Sequence, residues 1–298
     1  MSHFVSPKEL AHAIGASESS MKRWADNGHL VVHRTAGGHR RIPINEAVQF
    51  IRSRKLKLVR PDILGLSPTL DPDSDVHADL EPAERLHQLL VDGKVLEARG
   101  AITALFLGGM TLAEIADGPI SYALGKIGEI WLHDREGIII EHRAMEACIS
   151  SINMLLPMVE PKDPASAPRA IGASLPGDPY VMPNLLASAV LTESGFNATN
   201  LGADLPISLL ASEAVRLRPD ILWVSASVVN DIEGSTRELD HLANQIRSWN
   251  GLMVIGGRES DRLQFADSAP ISICSNMQEI VALAKGIRAT SAVGEPAA

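Results

Sequence analysis

Cysteine and aromatic residues are scarce in this chain of 298 residues. It has two cysteines, Cys148 and Cys274, and Phe, Tyr and Trp together make up 4% of it. Two thiols so far apart in sequence predict buried free cysteines rather than a disulfide or a metal pair. No apolar run approaches the roughly 18 residues that a membrane-spanning helix needs. Residues 1–10 also lack the basic-then-apolar pattern of a secretion signal, so we expect a cytoplasmic protein with no membrane partner.

Sequence patterns that mark catalytic sites are missing as well. The chain has no H-E-x-x-H pattern, no nucleophile elbow and no pair of carboxylates in a catalytic arrangement. No G-x-G-x-x-G follows the first strand of the predicted C-terminal sheet, which argues against a dinucleotide site. We therefore expect a protein that is not an enzyme and that has no metal site.

The net charge of −9 is unevenly distributed along the chain. Residues 1–60 contain 11 Lys and Arg but only 4 Asp and Glu, a net charge of +7, whereas the remainder carries −16. A basic head on an acidic body is typical of a nucleic-acid-binding module joined to a second function.

The basic head predicts two short helices joined by a tight turn. Ser6 and Glu9 form a capping-box pattern around Pro7, and Ser17 can cap the second helix, which Gly28 closes. The stretch "VVHRTAGGHRRI" then predicts two short strands around "TAGG", a hairpin that can reach phosphates beside the second helix. A further helix follows over "NEAVQFIRSRKL".

Residues 3–57 resemble the winged helix-turn-helix of the MerR family of transcription regulators, including its R-T-x-G-G-H-R-R wing. The resemblance implies double-stranded DNA as a partner, in an operator or promoter. The residues that we expect at the DNA are Ser17, Ser20, Lys22, Arg23, Arg34, Thr35, Gly37, Gly38, His39, Arg40 and Arg41. Metal-sensing members carry a long helix and a cysteine-bearing loop, which this chain replaces with a Pro/Asp/Ser-rich stretch.

The acidic body contains a helical part and an α/β part. Four amphipathic segments between residues 82 and 159 predict a four-helix bundle, and Gly118–Pro119 should kink the third helix, over 111–134. Five apolar runs that alternate with helices over 183–194, 206–217, 235–249 and 277–287 then predict a parallel, flavodoxin-like or Rossmann-like sheet. The fold class is thus multidomain α plus α/β. The predicted domains are 1–65, 81–158 and 169–290, with linkers at 66–80 and 159–168 and a disordered tail at 291–298.

A helical bundle followed by such a sheet resembles the cobalamin-binding module of methionine synthase. Joined to the MerR-like head, it is similar to the CarH/CarA/LitR group of repressors, some of which sense light with adenosylcobalamin. The stretch "WLHDREGIIIEH" matches the W-x9-E-H pattern of that group with Trp131, Glu141 and His142. In the family these side chains line the space above the corrin. Light-sensing relatives have a His directly after the Trp, where this chain has Leu132.

The loop at 177–183 follows the first strand of the predicted sheet. Cobalamin modules carry D/E-x-H-x-x-G here, and its His ligates cobalt from below. This chain has Asp178, Tyr180 and Pro183 at those three positions, and a neutral phenol is a poor cobalt ligand beside imidazole. Further cofactor contacts implied by the resemblance are Ser225, Ser227, Gly256 and Gly257, at the ends of later strands.

These observations predict a DNA-binding transcriptional regulator whose C-terminal module senses a ligand or light. Three alternatives stay open for that module: adenosylcobalamin bound without His ligation, another tetrapyrrole, or no ligand at all. In the last case it acts by oligomerisation or through an antirepressor protein. A dimer or tetramer is expected because one winged head contacts only one half-site. A fragment of a cobalamin-dependent enzyme is the alternative that the DNA-binding head disfavours.

Overall fold

A computed structural model of the chain describes residues 4–66, 77, 79–130, 137–266 and 269–293. The chain divides into two compact units, residues 1–159 and residues 160–298. The basic head and the helical part of the acidic body both belong to the first unit. The α/β part forms the second unit.

The first unit begins with three short strands and three helices. In chain order these are β1 (Phe4–Val5), α1 (Pro7–Ile14), α2 (Glu18–Asp26), β2 (His33–Arg34), β3 (Arg40–Pro43) and α3 (Ile44–Ser53). The strands form an antiparallel sheet in the order β1-β3-β2, in which β2 and β3 are the two arms of a hairpin. A short 3-10 helix, Pro61–Leu64, follows α3.

Polar caps fix the ends of the first two helices as the sequence predicts. The Ser6 hydroxyl accepts a hydrogen bond from the Glu9 amide, and the Glu9 carboxylate accepts one from the Ser6 amide, which completes a capping box. The chain leaves α1 through Gly15 at a φ of 67°, a left-handed conformation that glycine adopts without strain. Ser17 then caps α2, so that only three residues separate the two helices.

Helices fill the remainder of the first unit. They are α4 (Pro82–Val91), α5 (Val95–Leu107), α6 (Leu112–Ile115), α7 (Ser121–Ile130) and α8 (Gly137–Val159). Helices α4, α5, α7 and α8 pack pairwise on one another. Between α6 and α7 the backbone forms a π-helical turn, Ala116–Ile120, at the predicted kink. A wider turn accommodates Pro119 because proline cannot donate the hydrogen bond that a regular α-helix requires.

Helix α3 connects the basic head to these helices by packing against α5 and α8. The guanidinium of Arg52 lies 4.0 Å from the centre of the Phe106 ring and donates to the carbonyl of Met110 at 2.9 Å. A cation over an aromatic face and a bond to a carbonyl just past a helix end both favour this arrangement. The head and the helical part therefore share one packed unit.

The second unit is an α/β fold with one sheet. Its elements are β4 (Arg169–Ser174), α9 (Met182–Glu193), β5 (Asn197–Asn200), α10 (Ile207–Leu217), β6 (Ile221–Ser225), α11 (Ile232–Arg247), β7 (Leu252–Gly256), β8 (Ile271–Cys274) and α12 (Met277–Val293). The five strands are parallel and lie in the order β5-β4-β6-β7-β8. The predicted five-stranded parallel sheet is confirmed, and its order, 2-1-3-4-5, is the flavodoxin-like one.

In the second unit, two helix ends differ from the prediction by three residues or more. Helix α11 begins at Ile232 rather than at residue 235, because the Asp231 side chain caps it by accepting from the Gly234 amide. Helix α12 runs to Val293, beyond the predicted end at 287 and three residues into the stretch assigned to the tail.

The strand order defines where a ligand can approach the sheet. The central strands β4 and β6 are buried along nearly their whole length, which explains their continuous apolar runs. The chain leaves β4 towards β5 on one side and later returns to β6 on the other. In sheets of this kind ligands bind beyond the carboxyl ends of the strands at such a reversal. The residues from 175 to 183 and from 226 to 231 follow those two ends.

Candidate functional site

The first candidate surface consists of α2 and the β2–β3 hairpin. On α2, Met21 is fully buried, whereas Lys22 and Arg23 are exposed. The Ser17 hydroxyl accepts from the amide of Ser20 and lies 3.0 Å from its hydroxyl oxygen. Both predicted serines therefore shape the start of the helix, and the two basic residues supply the charge.

The hairpin has a compact tip formed by "TAGG". The Thr35 amide donates to the carbonyl of His39 at 2.9 Å, and the Thr35 hydroxyl accepts from the His39 amide at 3.2 Å. Gly38 adopts a φ of 78°, which a tight turn of this kind requires. Gly37, Gly38 and His39 are all exposed at the tip, so the backbone of the turn is accessible to a large partner.

The cations on this surface differ in their partners. Within the described part of the chain, Lys22, Arg23, Arg34 and Arg41 are exposed and have no acidic side chain within ion-pair distance. Arg40 is half-buried and forms an ion pair with Asp26 at 2.8 Å. The surface thus presents several uncompensated positive charges, the arrangement that attracts a polyanion.

The residues predicted from the W-x9-E-H pattern lie on or before α8. Trp131 and Leu132 fall outside the described residues. Glu141 is half-buried and His142 is exposed on the second turn of α8. Farther along the helix, burial raises the pKa of the Cys148 thiol to about 12, as expected for a cysteine in an apolar core.

Asp178 is the first predicted residue at the edge of the sheet. Its side chain is fully buried, and its carboxylate accepts from the Tyr180 amide at 3.0 Å and from the Ser227 amide at 2.7 Å. It therefore joins the loop after β4 to the loop after β6. Both carboxylate oxygens are engaged by the protein's own backbone, and Ser227 contributes to this bond through its amide.

Tyr180 lies on the surface of the same loop. Its side chain is 38% exposed, and the guanidinium of Arg258 lies 5.4 Å from the centre of its ring. This cation–π pair joins the loop after β4 to the loop after β7. The phenol therefore belongs to a solvent-facing pair of side chains rather than to an enclosed site.

A cavity opens between the carboxyl ends of β6 and β7 and the helices α9 and α12. It has a volume of about 400 Å³ including its opening to solvent. It brings together three of the predicted residues, Ser225, Gly256 and Gly257. The Ser225 hydroxyl is buried there and, among the described residues, has no hydrogen-bond partner. A buried polar group of this kind calls for a partner, and a ligand or a water can supply one.

Further residues that form this cavity were not predicted from the sequence. Trp223 and Cys274 line it, and burial together with nearby Glu279 raises the pKa of the Cys274 thiol to about 11. The Trp223 indole donates to the side-chain oxygen of Asn184 on α9. The signal for Trp223 was its place in an apolar strand, which indicates burial but not the lining of a cavity.

No protein-family model matches this chain. It is 23% identical over 220 residues to the HTH-type transcriptional repressor CarA of Myxococcus xanthus, covering 73% of this chain and 75% of the repressor. It is 21% identical over 186 residues to dimethylamine corrinoid protein 1 of Methanosarcina acetivorans, covering 61% of this chain and 86% of that protein.

The solved structures include a match with the same fold. The monomethylamine corrinoid protein of Methanosarcina barkeri aligns with a TM-score of 0.54 and 19% identity, covering 69% of this chain and 98% of that protein. Weak homology therefore connects the chain to a repressor and to corrinoid proteins, and the fold is one that a corrinoid protein adopts. In addition, none of the helices in the described ranges is long and apolar enough to cross a membrane.

Proposed function

We propose that this protein is a transcriptional regulator whose first unit binds double-stranded DNA and whose second unit binds a corrinoid. The observation that carries the first part is the set of exposed cations on α2 and the β2–β3 hairpin, Lys22, Arg23, Arg34 and Arg41, that have no acidic partner among the described residues. The observation that carries the second part is the cavity at the end of β6 with its buried, unpartnered Ser225 hydroxyl. The weak homology to a repressor and to corrinoid proteins supports joining the two functions in one chain.

The DNA-binding part of the proposal treats α1, α2 and the hairpin as a winged helix-turn-helix. In that arrangement α2 enters the major groove, where Lys22 and Arg23 face the DNA, and the hairpin follows the backbone with Arg34 and Arg41. Each head reads one half-site, so the regulator acts as a dimer or a larger assembly. Phosphate contacts supply most of the affinity, and binding therefore weakens steeply as salt increases.

The corrinoid part of the proposal rests on the polar lining of the cavity and not on its size. The enclosed space is about 70 Å³, below the roughly 300–1,000 Å³ of a typical small-molecule site. Gly257 adopts a φ of 114°, and a Cβ there would lie 2.6 Å from the Ala226 backbone, so this glycine serves the packing of the protein itself. The buried Ser225 hydroxyl offers a hydrogen bond, and we propose that it pairs with a polar atom in the tail of a corrinoid. Bound adenosylcobalamin would supply a light-sensitive centre.

The loop after β4 does not fit the usual ligation of the metal. Residues 177–183 contain no histidine, and Tyr180 at the expected position pairs with Arg258 at the surface. We propose that the corrinoid is held through its tail, without a cobalt ligand from this loop.

Absorption spectroscopy tests the corrinoid part. The full chain is mixed with adenosylcobalamin in the dark, passed through a gel-filtration column and examined before and after illumination. We expect corrin bands to elute with the protein and to change with light. A colourless protein peak would contradict corrinoid binding and leave a ligand-free module, and a different pigment retained from the cells would point to another tetrapyrrole.

Fluorescence anisotropy with a labelled random-sequence duplex tests the DNA part. We expect the protein to bind this duplex at low salt with a Kd in the micromolar range or lower. Non-specific DNA binding typically has a Kd of about 10⁻⁴–10⁻⁶ M at physiological salt, and lower salt tightens it. As a regulator the protein should transfer no methyl group from a methylamine donor. Methyl transfer in the absence of DNA binding would replace this proposal with an enzymatic one.

A further inference from the structure

Arg40 stands apart from the other cations of the β2–β3 hairpin. Its side chain is 26% exposed, and its Nη2 atom donates to an oxygen of Asp26 at 2.8 Å. Its Nη1 atom is buried and has no hydrogen-bond partner among the described residues. Arg34 and Arg41, its neighbours on the hairpin, are exposed and have no acidic partner in the described part of the chain. Arg40 is thus engaged by the protein itself.

The ion pair joins two elements that the DNA would contact together. Asp26 is the last residue of α2, and Arg40 is the first residue of β3. The remainder of β3 packs against β1, α1 and α3. The pair therefore ties the hairpin, at the strand residue next to its tip, to the end of the helix that precedes it.

We propose that Asp26 and Arg40 are positioning residues that hold the hairpin at a fixed angle to α2, and that Arg40 makes no phosphate contact of its own. This inference rests on the proposed DNA-binding function. A hairpin and a helix that are already aligned lose less conformational freedom on binding, which increases affinity. To reach a phosphate instead, Arg40 would have to give up its ion pair with Asp26.

The two roles predict opposite effects when Asp26 is removed. An acidic side chain near a DNA-binding surface repels phosphate, so its loss ordinarily tightens binding. If Arg40 contacted phosphate, Asp26→Ala would also release a competing partner and tighten binding further. If the pair positions the hairpin, the same substitution weakens binding although it makes the head more positive.

The experiment compares Asp26→Ala with Glu18→Ala in the full chain. Glu18 is an exposed acid on the first turn of the same helix and serves as the matched control for charge. Affinity for a labelled random-sequence duplex is measured by anisotropy over a series of salt concentrations. We expect Glu18→Ala to bind equally or more tightly and Asp26→Ala to bind about three- to fivefold more weakly, with an unchanged salt slope. Equal or tighter binding by Asp26→Ala, or a changed slope, would overturn the proposal.

Amide hydrogen exchange separates this inference from the proposed function. In the absence of DNA, Asp26→Ala should accelerate exchange of the Thr35, Gly38 and His39 amides, which the turn bonds of the hairpin protect. The charge-swapped variant Asp26→Arg/Arg40→Asp should restore both the exchange rates and the affinity. If the wild type does not bind DNA but the exchange rates respond, the DNA-binding proposal fails while the ion pair keeps its structural role. Unaltered exchange would contradict the positioning role itself.

Discussion

The β2–β3 hairpin of the first unit and the sheet edge of the second unit use their polar side chains differently. In the hairpin, Arg34 and Arg41 are exposed and have no acidic partner among the described residues. At the sheet edge, Asp178 and Asn184 are buried and hydrogen-bonded within the protein. The charges of the hairpin arginines are therefore available to a partner outside the molecule. The sheet edge uses its polar side chains to hold its own loops together. Among the buried side-chain polar atoms of described residues that line the cavity, only the Ser225 hydroxyl has no hydrogen-bond partner.

The difference shows how two kinds of binding site are built. A surface for a polyanion needs exposed charge and a scaffold that aligns it, and each charge remains hydrated until the partner arrives. A cavity for a small molecule needs loops that are held in place by bonds between their own buried polar groups. Breaking such a bond leaves a buried polar group without a partner, which costs about 1–3 kcal/mol. The first kind tolerates substitution of one cation, and the second depends on single buried bonds.

Asp178→Ala should have the largest effect on the second unit. The substitution leaves the buried Ser227 amide and the partly buried Tyr180 amide without an acceptor, which should lower the free energy of unfolding of this unit by about 2–3 kcal/mol. Native-state hydrogen exchange of the β6 amides in urea measures that free energy. We expect DNA affinity to remain as in the wild type.

The control for this variant is Asp261→Ala. Asp261 is exposed in the short 3-10 helix Ser260–Arg262, so its removal should change the unfolding free energy by no more than about 0.5 kcal/mol. Equal effects of the two substitutions would show that the buried carboxylate does not hold the loops, and the comparison between the two regions would fail.

Cys274 provides a chemical probe of the cavity. Because burial raises the pKa of its thiol to about 11, little thiolate is present at pH 8, and alkylation should be about tenfold or more slower than for free cysteine. The rate should rise as the pH approaches that value. Peptide mass spectrometry after timed alkylation measures it for Cys274 and Cys148 separately.

A ligand in the cavity should protect one thiol and not the other. Cys274 lines the cavity, whereas Cys148 lies in α8 of the first unit. Adenosylcobalamin should therefore slow alkylation of Cys274 further and leave the slow reaction of Cys148 unchanged. Alkylation of Cys274 at the rate of free cysteine would contradict the enclosed cavity.

Ser225→Ala should have the smallest effect on stability. Removing an unpartnered buried hydroxyl should leave the second unit equally stable or more stable by up to about 1 kcal/mol, in contrast to Asp178→Ala. Corrinoid retention should fall, because the variant offers the ligand no hydrogen bond. Ser212→Ala, at an exposed position of α10, is the matched control. Destabilisation of Ser225→Ala, with retention unaltered, would show that the hydroxyl serves the fold.

The features that the sequence predicted correctly are local or periodic ones. Ser6 and Ser17 cap helices through bonds to residues three positions away, and the buried strands appear in the sequence as apolar runs. The capped helices and the parallel sheet could therefore be predicted from the sequence. Part of the cavity lining could also be predicted, because Ser225, Gly256 and Gly257 lie at or next to the carboxyl ends of strands that meet at one edge of the sheet.

The remaining features depend on partners that are distant in sequence. Arg40 was placed with the DNA-contacting cations, since nothing in "GGHRRI" indicates an ion pair with a residue 14 positions away. Asp178 was assigned to the cofactor, since its bond to the Ser227 amide spans 49 positions. Residue type indicates charge, and only the folded arrangement shows whether that charge is already in use.

The salt dependence of DNA affinity tests the central claim most directly, namely that unpaired hairpin cations bind duplex phosphates. Anisotropy titrations of the full chain from low to moderate salt give the slope of log affinity against log salt concentration for the wild type and for Arg34→Ala/Arg41→Ala. We predict a steep slope for the wild type and one shallower by about two for the variant, which loses two phosphate contacts and about tenfold in affinity. An identical slope for both proteins would contradict the account.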